Sequence, residues 1–520
     1  MAAIITDQIR ILNAKNFVAG VSSSTNSYYS FVGLPNPTDI QSDWDVNPPP
    51  PRDNFDEENN YWDTMIALKK INASDVRQVI QKRFWSTGTT FDMYRHDYSS
   101  NPNKQAKVSG SLSLYSASYY VLNSDYRVYI CLQNGTNPDN ENGRPSLDEP
   151  LFTDLEPRAA GSSGDGYIWK YLYTIKPTDI IKFESTDFMP VPINWETSTE
   201  NAAVRDNAID GSIKIITITN RGFGVAPANT TYTRVPIRGD GTGAECTIVV
   251  NNDQKIESVT ISNQGSGYTF GTVDLTAGNV PAGTISPVFN VIISPKGGHG
   301  KDIYRELGAY NVLMYSRIEN DNQNPDFITG NQIARVGIVE NPTEFGPNST
   351  QILTTDKASA VYALKLTGIG VNSAIYTADS FITQTVSTAT TAVGKVISYD
   401  QVTGVLKYWQ DRSNSGFSAV GLAVTNPTYG FNQVGFTSAF GAGGSLTISG
   451  GSINLEIDTS FTGLSTVINN RIYYLGQSFT SGLANPEVQK YSGNIIYVDN
   501  RPSITRSSNQ KEDIKVILQF

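Results

Sequence analysis

The stretch Ile213-Lys-Ile-Ile-Thr-Ile-Thr-Asn-Arg-Gly-Phe-Gly-Val225 recurs later in the chain as Ile256-Glu-Ser-Val-Thr-Ile-Ser-Asn-Gln-Gly-Ser-Gly-Tyr268. In both copies a run rich in β-branched residues leads into Asn-x-Gly-x-Gly, where glycine supplies the positive φ that other residues resist. Self-similarity of this kind indicates a duplicated unit. The repeat therefore predicts a small β module over residues 208–290.

Composition extends the β prediction to the whole chain. The 520 residues are 39% hydrophobic and include 27 Tyr and 21 Phe, whereas only 17% are charged. Many aromatic residues and glycines with few charges favour strands and turns over helices. The length allows several domains of about 100–200 residues each. We therefore expect a mainly β protein.

A second low-charge block, rich in Thr, Ser, Gly and Val, covers residues 349–478. Within it, residues 394–408 predict a hairpin that turns at Asp400-Gln-Val-Thr-Gly404. Further glycine-rich turns follow, so this block predicts a β-barrel or sandwich-like module. Helical spacing of apolar residues is clearest over residues 56–83 and predicts a short helical region there.

Residues 109–133 combine tyrosines with Val and Leu, and predict two strands joined by a turn at Asn123-Ser124-Asp125. Residues 134–165 are rich in Gly, Asn, Pro and Asp, and predict a long surface loop. The stretch Tyr167-Ile-Trp-Lys-Tyr-Leu-Tyr-Thr-Ile175 then alternates aromatic side chains. It predicts a strand that fills a core with one face.

Charge and cysteine content narrow the class of protein. The net charge of −10, with no cluster of Lys and Arg, argues against nucleic acid as a partner. Only Cys131 and Cys246 are present, which fits a reducing compartment and excludes a disulfide-stapled scaffold. Because no signal peptide and no apolar run of about 18 residues is found, we expect neither export nor membrane insertion.

Residues that could carry chemistry are few. His96 and His299 are the only histidines, which excludes a three-histidine zinc site and argues against a histidine-based triad. His96 is interpreted as a structural or surface residue, and His299 as part of a turn that ends a strand. The loop 239–243 lacks the acidic ligands of a calcium site and predicts a hairpin turn. We therefore predict no catalytic, cofactor-binding or metal-binding residues.

Four segments share motifs with one known family. They are Asp63-Thr-Met-Ile66 with Arg83-Phe-Trp85, Gly164-Asp-Gly-Tyr-Ile-Trp-Lys-Tyr-Leu-Tyr173, Gly330-Asn331 with Arg335-Val-Gly-Ile-Val-Glu-Asn-Pro342, and Ser492-Gly-Asn-Ile-Ile-Tyr-Val-Asp-Asn-Arg-Pro-Ser-Ile504. Together, and in this order, they resemble the T-even-type phage baseplate wedge protein known as gene product eight. The resemblance leaves out both low-charge β blocks.

The resemblance implies a β-sandwich core formed by residues 1–207, 291–348 and 479–520, with inserted modules at 208–290 and 349–478. It implies a structural, non-enzymatic homodimer in the tail baseplate of the virion, made and assembled in the host cytoplasm. Implied partners are other wedge subunits and proteins that attach short tail fibres. The motif residues, expected in packing or interfaces, are Arg83, Trp85, Gly164, Asp165, Gly166, Tyr167, Trp169, Tyr171, Gly330, Asn331, Asn341, Pro342, Gly493, Tyr497, Asn500, Arg501 and Pro502.

Two other functions stay open from the sequence. The first is a receptor-binding or decoration protein of the tail whose inserted modules grip the host surface. The second is a tail-associated polysaccharide hydrolase, which would need paired carboxylates that sequence spacing alone does not locate.

Overall fold

The structure, a computed structural model, describes residues 4–38, 41–98, 108–319, 332–346, 349–387, 390–410, 440–442, 444–507 and 510–520. Strands account for 42% of the chain and helices for 10%, so the predicted mainly β fold is confirmed. In this described part of the chain, no helix is long and apolar enough to cross a membrane.

The helices are α1 (Asp7–Val21), α2 (Phe55–Thr64), α3 (Pro177–Phe183), α4 (Ala202–Asp206) and α5 (Ile303–Leu307). The first strands are β1 (Tyr28–Gly33), β2 (Met65–Ile71), β3 (Val76–Gln81), β4 (Tyr120–Leu122), β5 (Arg127–Asn134), β6 (Tyr167–Thr174), β7 (Phe188–Pro190), β8 (Ile213–Asn220), β9 (Thr231–Gly239), β10 (Thr242–Val250), β11 (Ile256–Ser266), β12 (Gly271–Val273) and β13 (Val288–Ile293). The later strands are β14 (Asn311–Glu319), β15 (Gln332–Glu340), β16 (Lys357–Ser359), β17 (Tyr362–Thr367), β18 (Phe381–Ser387), β19 (Thr390–Asp400), β20 (Val405–Trp409), β21 (Thr447–Ile448), β22 (Leu455–Ile457), β23 (Gly463–Ile468), β24 (Arg471–Phe479), β25 (Leu483–Ala484), β26 (Asn494–Thr505) and β27 (Lys511–Gln519).

The chain forms two compact units. Unit 1 contains Met1–Val18, Arg77–Met314 and Ile517–Phe520, and unit 2 contains Ala19–Val76 and Tyr315–Val516. Residues 208–290 therefore lie within unit 1, and residues 349–478 lie within unit 2. The aromatic strand β6 belongs to unit 1, and the C-terminal strand β26 belongs to unit 2. The predicted boundaries of one core with two inserted modules stay a prediction.

Unit 1 is built around a three-stranded antiparallel sheet of order β4-β5-β6. The turn between β4 and β5 begins at Asn123, whose Oδ1 accepts hydrogen bonds from the backbone N–H groups of Asp125 and Arg127. The predicted pair of strands and the predicted aromatic strand are both confirmed. Tyr167, Trp169 and Tyr173 are fully buried, as the alternation in β6 predicts, but Tyr171 is only half-buried. Lys170 and Leu172 are buried instead, where the pairing of β5 with β6 shifts register.

The repeat module of unit 1 consists of the pair β8-β13 and a sheet of order β11-β10-β9-β12. Its two copies share one local hydrogen bond between asparagine and glycine. Asn220 Oδ1 accepts from the N–H of Gly222 at 2.8 Å, and Asn263 Oδ1 accepts from the N–H of Gly265 at 3.2 Å. All four glycines of the two motifs have φ between 60° and 75°. The predicted strand is confirmed in both copies, but the predicted turn only in the first: β8 ends at Asn220, whereas β11 continues through Asn263 and Gly265 to Ser266 and stays paired with β10.

Unit 2 contains a five-stranded antiparallel sheet of order β16-β2-β1-β15-β26. At its centre, Phe31 of β1 lies opposite Leu68 of β2 and Gly337 of β15. A Cβ at position 337 would overlap the Phe31 ring, so glycine is required there. This sheet brings together strands from the start, the middle and the end of the sequence.

The block 349–478 forms most of a barrel-like sheet of order β18-β19-β20-β17-β22-β21. Backbone hydrogen bonds in both directions between Thr383 and Ser449 join β18 to the end of β21 and nearly close the barrel. The predicted hairpin is present, because β19 and β20 are joined by the turn from Asp400 to Gly404. The predicted barrel-like module is confirmed.

The predicted helical region over 56–83 is correct only in its first part. Helix α2 is capped by Asn54, whose Oδ1 accepts from the N–H of Glu57, and it ends at Thr64. The rest forms β2 and β3, where most residues are buried on both faces. A strand covered on both sides loses its period-2 pattern, so its apolar residues matched helical spacing by coincidence. The longest helix, α1, was not predicted.

Candidate functional site

Arg335 is fully buried in unit 2 and forms the centre of a cluster of distant residues. Its Nε donates to Asn500 Oδ1 at 2.8 Å, and its Nη2 donates to Asn36 Oδ1 at 3.0 Å. Its Nη1 donates to the Thr64 hydroxyl. Trp44 and Tyr61 cover the guanidinium with their rings at 5.3 and 4.8 Å. We call these six residues the Arg335 cluster.

Among the described residues, no carboxylate accepts a hydrogen bond from Arg335, although the Glu57 carboxylate acts on it through space. Burial lowers the pKa of the Arg335 guanidinium to about 10, so the group stays protonated at neutral pH. The groups in direct contact with the guanidinium are neutral oxygens and aromatic faces. The cluster therefore ties β15, β26 and the end of α2 together by a directional network.

Four motif residues lie on β26, and one of them, Asn500, belongs to this cluster. Asn500 also donates through Nδ2 to the carbonyl of Pro49 at 2.9 Å. The carbonyl of Arg501 accepts from the indole N–H of Trp44 at 2.8 Å, while the Arg501 side chain is exposed and pairs with Asp499. Pro502 is exposed on the same strand, which forms an edge of the five-stranded sheet. On β26, Tyr497 is half-buried opposite Ile338.

The motif residues Asn341, Pro342 and Gly493 form a corner at the end of β15. Asn341 has a positive φ of 51°, and its Oδ1 accepts from the N–H of Ser27 at 2.8 Å. The carbonyl of Pro342 accepts from the N–H of Leu353 at 2.8 Å. Gly493 has φ 73°, and a Cβ there would collide with the backbone of Glu340. These residues hold the corner in place.

In unit 1, Asp165 anchors the long loop predicted over 134–165. Its Oδ2 accepts from the N–H of Leu147 at 2.9 Å, and its Oδ1 accepts from the N–H of Tyr167 at 3.0 Å. The Tyr167 hydroxyl donates to the carbonyl of Arg144 and accepts from the N–H of Phe91. No helix or strand is assigned to 135–166, so the predicted loop is confirmed, but it is held at several points.

The two glycines that flank Asp165 both have a positive φ, but their surroundings differ. Gly166 has φ 88°, and a Cβ there would lie 2.8 Å from Cα of Gly135. Gly164 also has a positive φ, of 70°, but open space surrounds it. Only Gly166 is therefore required for close approach as well as for backbone conformation.

The remaining motif residues of unit 1 pack around the same sheet. Arg83 donates through Nη1 to the carbonyl of Ala117 at 2.5 Å, and Trp85 donates to the Ser146 hydroxyl at 3.0 Å. Trp169 stacks on Tyr167 with centroids 5.3 Å apart. Tyr171 is only half-buried and packs edge-on against Tyr129. Gly330 and Asn331 lie outside the described residues.

The histidines have structural contacts. His96 Nδ1 accepts from the backbone N–H of Ile293 at 3.2 Å. His299 is buried in the turn after β13, with Nδ1 2.6 Å from Glu306 Oε1, and the ring of Tyr94 lies edge-on to it at 4.7 Å. Glu306 Oε2 also accepts from the N–H of Gly300 at 2.7 Å. The sequence predicted the turn but missed this buried pair, because Glu306 follows seven residues later on α5.

In the ranges that the structure describes, no group of three or more His, Cys, Asp or Glu side chains gathers as metal ligands would. The loop 239–243 is the turn of the β9-β10 hairpin, as predicted. Asp240 there accepts hydrogen bonds from the N–H and hydroxyl of Thr269, which lower the pKa of its carboxyl to about 2.

The chain was compared with protein-family models and with curated proteins. No family model and no curated protein matches it.

Proposed function

We propose that the chain is a structural, non-enzymatic subunit of the baseplate wedge of a contractile phage tail. In this role it acts as a homodimer that joins neighbouring wedge proteins. The proposal begins from the four sequence segments that resemble the gene product eight family. One structural observation supports it: several motif residues hold together backbone segments that are far apart in sequence, as Asn341 does with Ser27 and Asn500 does with Pro49.

The Arg335 cluster supports this role within unit 2. Three of its members, Thr64, Arg335 and Asn500, come from three different segments of the resemblance, and they meet at one buried guanidinium. A network of this kind specifies one arrangement of strands, because each polar group needs its partner once it is removed from water. A wedge subunit needs such rigidity to keep its contact surfaces in position.

The anchored loop supports the role within unit 1 and offers a contact surface. Leu147 and Leu151 are 51% and 52% exposed, although Phe152 and Leu155 nearby pack against the core. The carbonyl of Leu155 also accepts from the buried Lys170 ammonium at 2.7 Å. Deleting the whole loop would therefore unfold part of unit 1, so single exposed positions make the better test.

The experiment co-expresses the full chain with the other wedge proteins of its virus and measures which of them co-purify. The wild-type chain is expected to co-purify with these wedge proteins. For the double variant Leu147→Glu and Leu151→Glu, the amount of co-purified wedge protein is expected to be at least tenfold lower. Ile181→Glu, at another exposed aliphatic residue of unit 1, is the matched control. If the wild-type chain retains none of them, the proposed function is wrong.

A second candidate function, binding to the host surface, is favoured by one observation. Ile369 is 98% exposed, and the exposed Ile375 and Val402 lie on neighbouring loops of the barrel-like sheet. These loops are joined where Gln401 Nε2 donates to the carbonyl of Ala374 at 2.9 Å. Binding of the full chain to host cells that is lost on Ile369→Ser would favour this candidate over the wedge role.

A further inference from the structure

A run of four prolines in unit 2 forms a segment whose conformation is fixed by its own covalent structure. The segment is Asn47-Pro-Pro-Pro-Pro-Arg52, which lies outside the helices and strands, and we call it the proline strap. Each pyrrolidine ring holds its own φ at about −65°, and each proline also restricts the residue before it to extended conformations. The four prolines therefore adopt the polyproline II conformation, which has no internal hydrogen bonds.

The proline strap is held in place by side chains of β26 and α2. In its middle, Asn500 Nδ2 donates to the carbonyl of Pro49 at 2.9 Å. At its end, the Tyr61 hydroxyl accepts from the N–H of Arg52 at 2.9 Å and donates to the carbonyl of the same residue at 3.0 Å. Because the strap is both stiff and anchored, it loses little conformational entropy when a partner binds it.

The part of the strap between these two anchors is open to solvent. Pro50 and Pro51 are exposed, and the large side chains that flank the strap, Val46 and Phe55, are 89% and 85% exposed. Among the described residues, no donor reaches the carbonyls of Pro50 and Pro51. The strap therefore presents a rigid apolar ridge together with two backbone acceptors that its own chain does not use.

The chemistry of this ridge indicates which kind of partner fits it. A proline has a carbonyl but no N–H, so the strap cannot complete the alternating donors and acceptors of a sheet edge. A partner must instead supply hydrogen-bond donors beside flat apolar surfaces that pack on the pyrrolidine rings. Tryptophan and tyrosine combine both features, because each carries an N–H or O–H donor on a large apolar ring. Grooves lined by such side chains recognise polyproline II segments.

Arg52 adds an electrostatic preference at one end of the strap. Its side chain is exposed, and in the described part of the chain no carboxylate forms an ion pair with it, not even that of the adjacent Asp53. A partner carboxylate at this end of the groove would form that ion pair. The net charge of −10 would repel the same carboxylate over much of the remaining surface, so Arg52 helps to fix where the partner binds.

We propose that the proline strap docks into a groove of a neighbouring wedge protein, lined by Trp or Tyr side chains, with a carboxylate at the end that receives Arg52. The aromatic rings pack on Pro50 and Pro51 and donate to their carbonyls. Val46 and Phe55 lie at the rim of the groove. The inference deepens the proposed function and rests on it, because it names how one wedge partner is bound.

The first measurement mixes the purified full chain with each other wedge protein of its virus in turn, and determines the dissociation constant by calorimetry. At least one wedge protein is expected to bind the wild type. For the double variant Pro50→Ala and Pro51→Ala, and for Arg52→Glu, the dissociation constant is expected to rise at least tenfold, whereas Arg52→Lys should lose less. The matched controls are Pro281→Ala, in an exposed loop, and Arg471→Glu, at another exposed arginine, and both should keep the wild-type value.

The second measurement is independent of the proposed function. A WW domain that binds proline runs through its aromatic groove is titrated against the same full-chain samples. It is expected to bind the wild type, and to bind the double variant Pro50→Ala and Pro51→Ala at least tenfold more weakly. Thermal unfolding confirms that each variant is folded.

The two measurements separate the inference from the proposed function. If wedge proteins bind the double variant as tightly as the wild type, the inference is overturned and the proposed function is not. A WW domain that does not bind the wild type, or does not distinguish it from the double variant, would also overturn the inference. If no wedge protein binds the wild type but the WW domain does, the proposed function is refuted and the docking chemistry of the strap is supported.

Discussion

Arg335 and Lys407 are both buried cations of unit 2, but their surroundings differ. Arg335 donates to three side-chain oxygens, from Asn36, Thr64 and Asn500, and lies under two aromatic rings. Lys407 lies on β20 of the barrel-like sheet. In the described part of the chain the one opposite charge that acts on it is the carboxylate of Asp400, with no hydrogen bond between them. The surroundings of Arg335 therefore stabilise its positive charge, whereas those of Lys407 do so only weakly.

The pKa values follow from these surroundings. Burial lowers the pKa of Arg335 to about 10, which leaves it charged, and burial lowers the pKa of Lys407 to about 7. A buried cation keeps its proton where the chain provides acceptors, and loses it readily where the chain does not. The charge of Arg335, in a segment that resembles the wedge family, therefore stabilises the folded chain. The buried charge of Lys407 instead destabilises the barrel-like module in which it lies.

The largest expected effect comes from removing the charge that the chain supports. Arg335→Met leaves the oxygens of Asn36, Thr64 and Asn500 buried without a donor, and we expect it to cost about 3–5 kcal/mol of unfolding free energy. Arg335→Lys keeps the charge but cannot reach all three oxygens, so its loss should be about half as large. Urea unfolding followed by tryptophan fluorescence measures both. A loss below about 1 kcal/mol for Arg335→Met would contradict a structural role for the cluster.

The sequence predicted those features that depend on neighbouring residues. The strands of the repeat, the positive φ of its glycines, the turn at Asn123 and the aromatic strand were all found from local pattern, because glycine and asparagine determine the backbone within a few residues. The strands β2 and β3 were missed because burial on both faces hides the alternation that identifies a strand.

The candidate site was predicted only in part, for a different reason. The motif residues Asn500 and Asp165 were selected by resemblance, and their partners Arg335 and Tyr167 lie in the same set of segments, but the contacts between them were not predicted. The contribution of Asn36 was missed altogether. Asn36, Thr64 and Asn500 reach Arg335 from sequence separations of 165 to 299 residues, which no local pattern reports. One signal was available: an arginine in the middle of the apolar run Ile333 to Val339 must find partners once that strand is buried.

The second prediction concerns the unsupported charge of Lys407. Its pKa is about 7 in the folded chain and about 10.5 when unfolded, so the unfolded state binds more protons between these values. The loss of folding stability caused by burying the charged ammonium is fully present below about pH 7 and disappears as the pH rises towards 10.5. Lys407→Met should therefore stabilise the protein by about 2–3 kcal/mol at pH 6.5, after allowance for local relaxation, and by less at pH 8.5.

The check is to subtract the unfolding free energy of the wild type from that of Lys407→Met at each pH. The subtraction matters because Cys131 and Cys246 titrate in the opposite sense: burial raises the pKa of both thiols, so their contribution to stability falls as the pH rises. Leu406→Met, at a core position of the same strand, controls for introducing methionine. A difference that is independent of pH would show that the ammonium is not the cause.

The smallest expected effect tests whether the neutral acceptors of Arg335 are sufficient. Asn500→Ala removes one acceptor of Arg335 and one donor to the carbonyl of Pro49, and should cost about 1–2 kcal/mol. Asn500→Asp keeps the acceptor and adds a carboxylate beside the buried cation, so it should be more stable than Asn500→Ala at pH 7. The guanidinium would hold the pKa of the new carboxyl below its unfolded value of about 3.9, and this advantage would be lost as the pH falls through the folded pKa.

Urea unfolding of the two Asn500 variants at pH 7 and at about pH 3, below the unfolded pKa of the new carboxyl, measures the difference between them. If the unfolding free energy of Asn500→Asp at pH 7 is higher than even that of the wild type, the site lacks a counter-ion. Arg335 would then resemble Lys407 more closely than its hydrogen bonds indicate. If Asn500→Asp instead lies between Asn500→Ala and the wild type, the neutral oxygens already meet the needs of the guanidinium. We expect the second result, because removal of one acceptor still leaves Arg335 with the oxygens of Asn36 and Thr64 and with two aromatic faces.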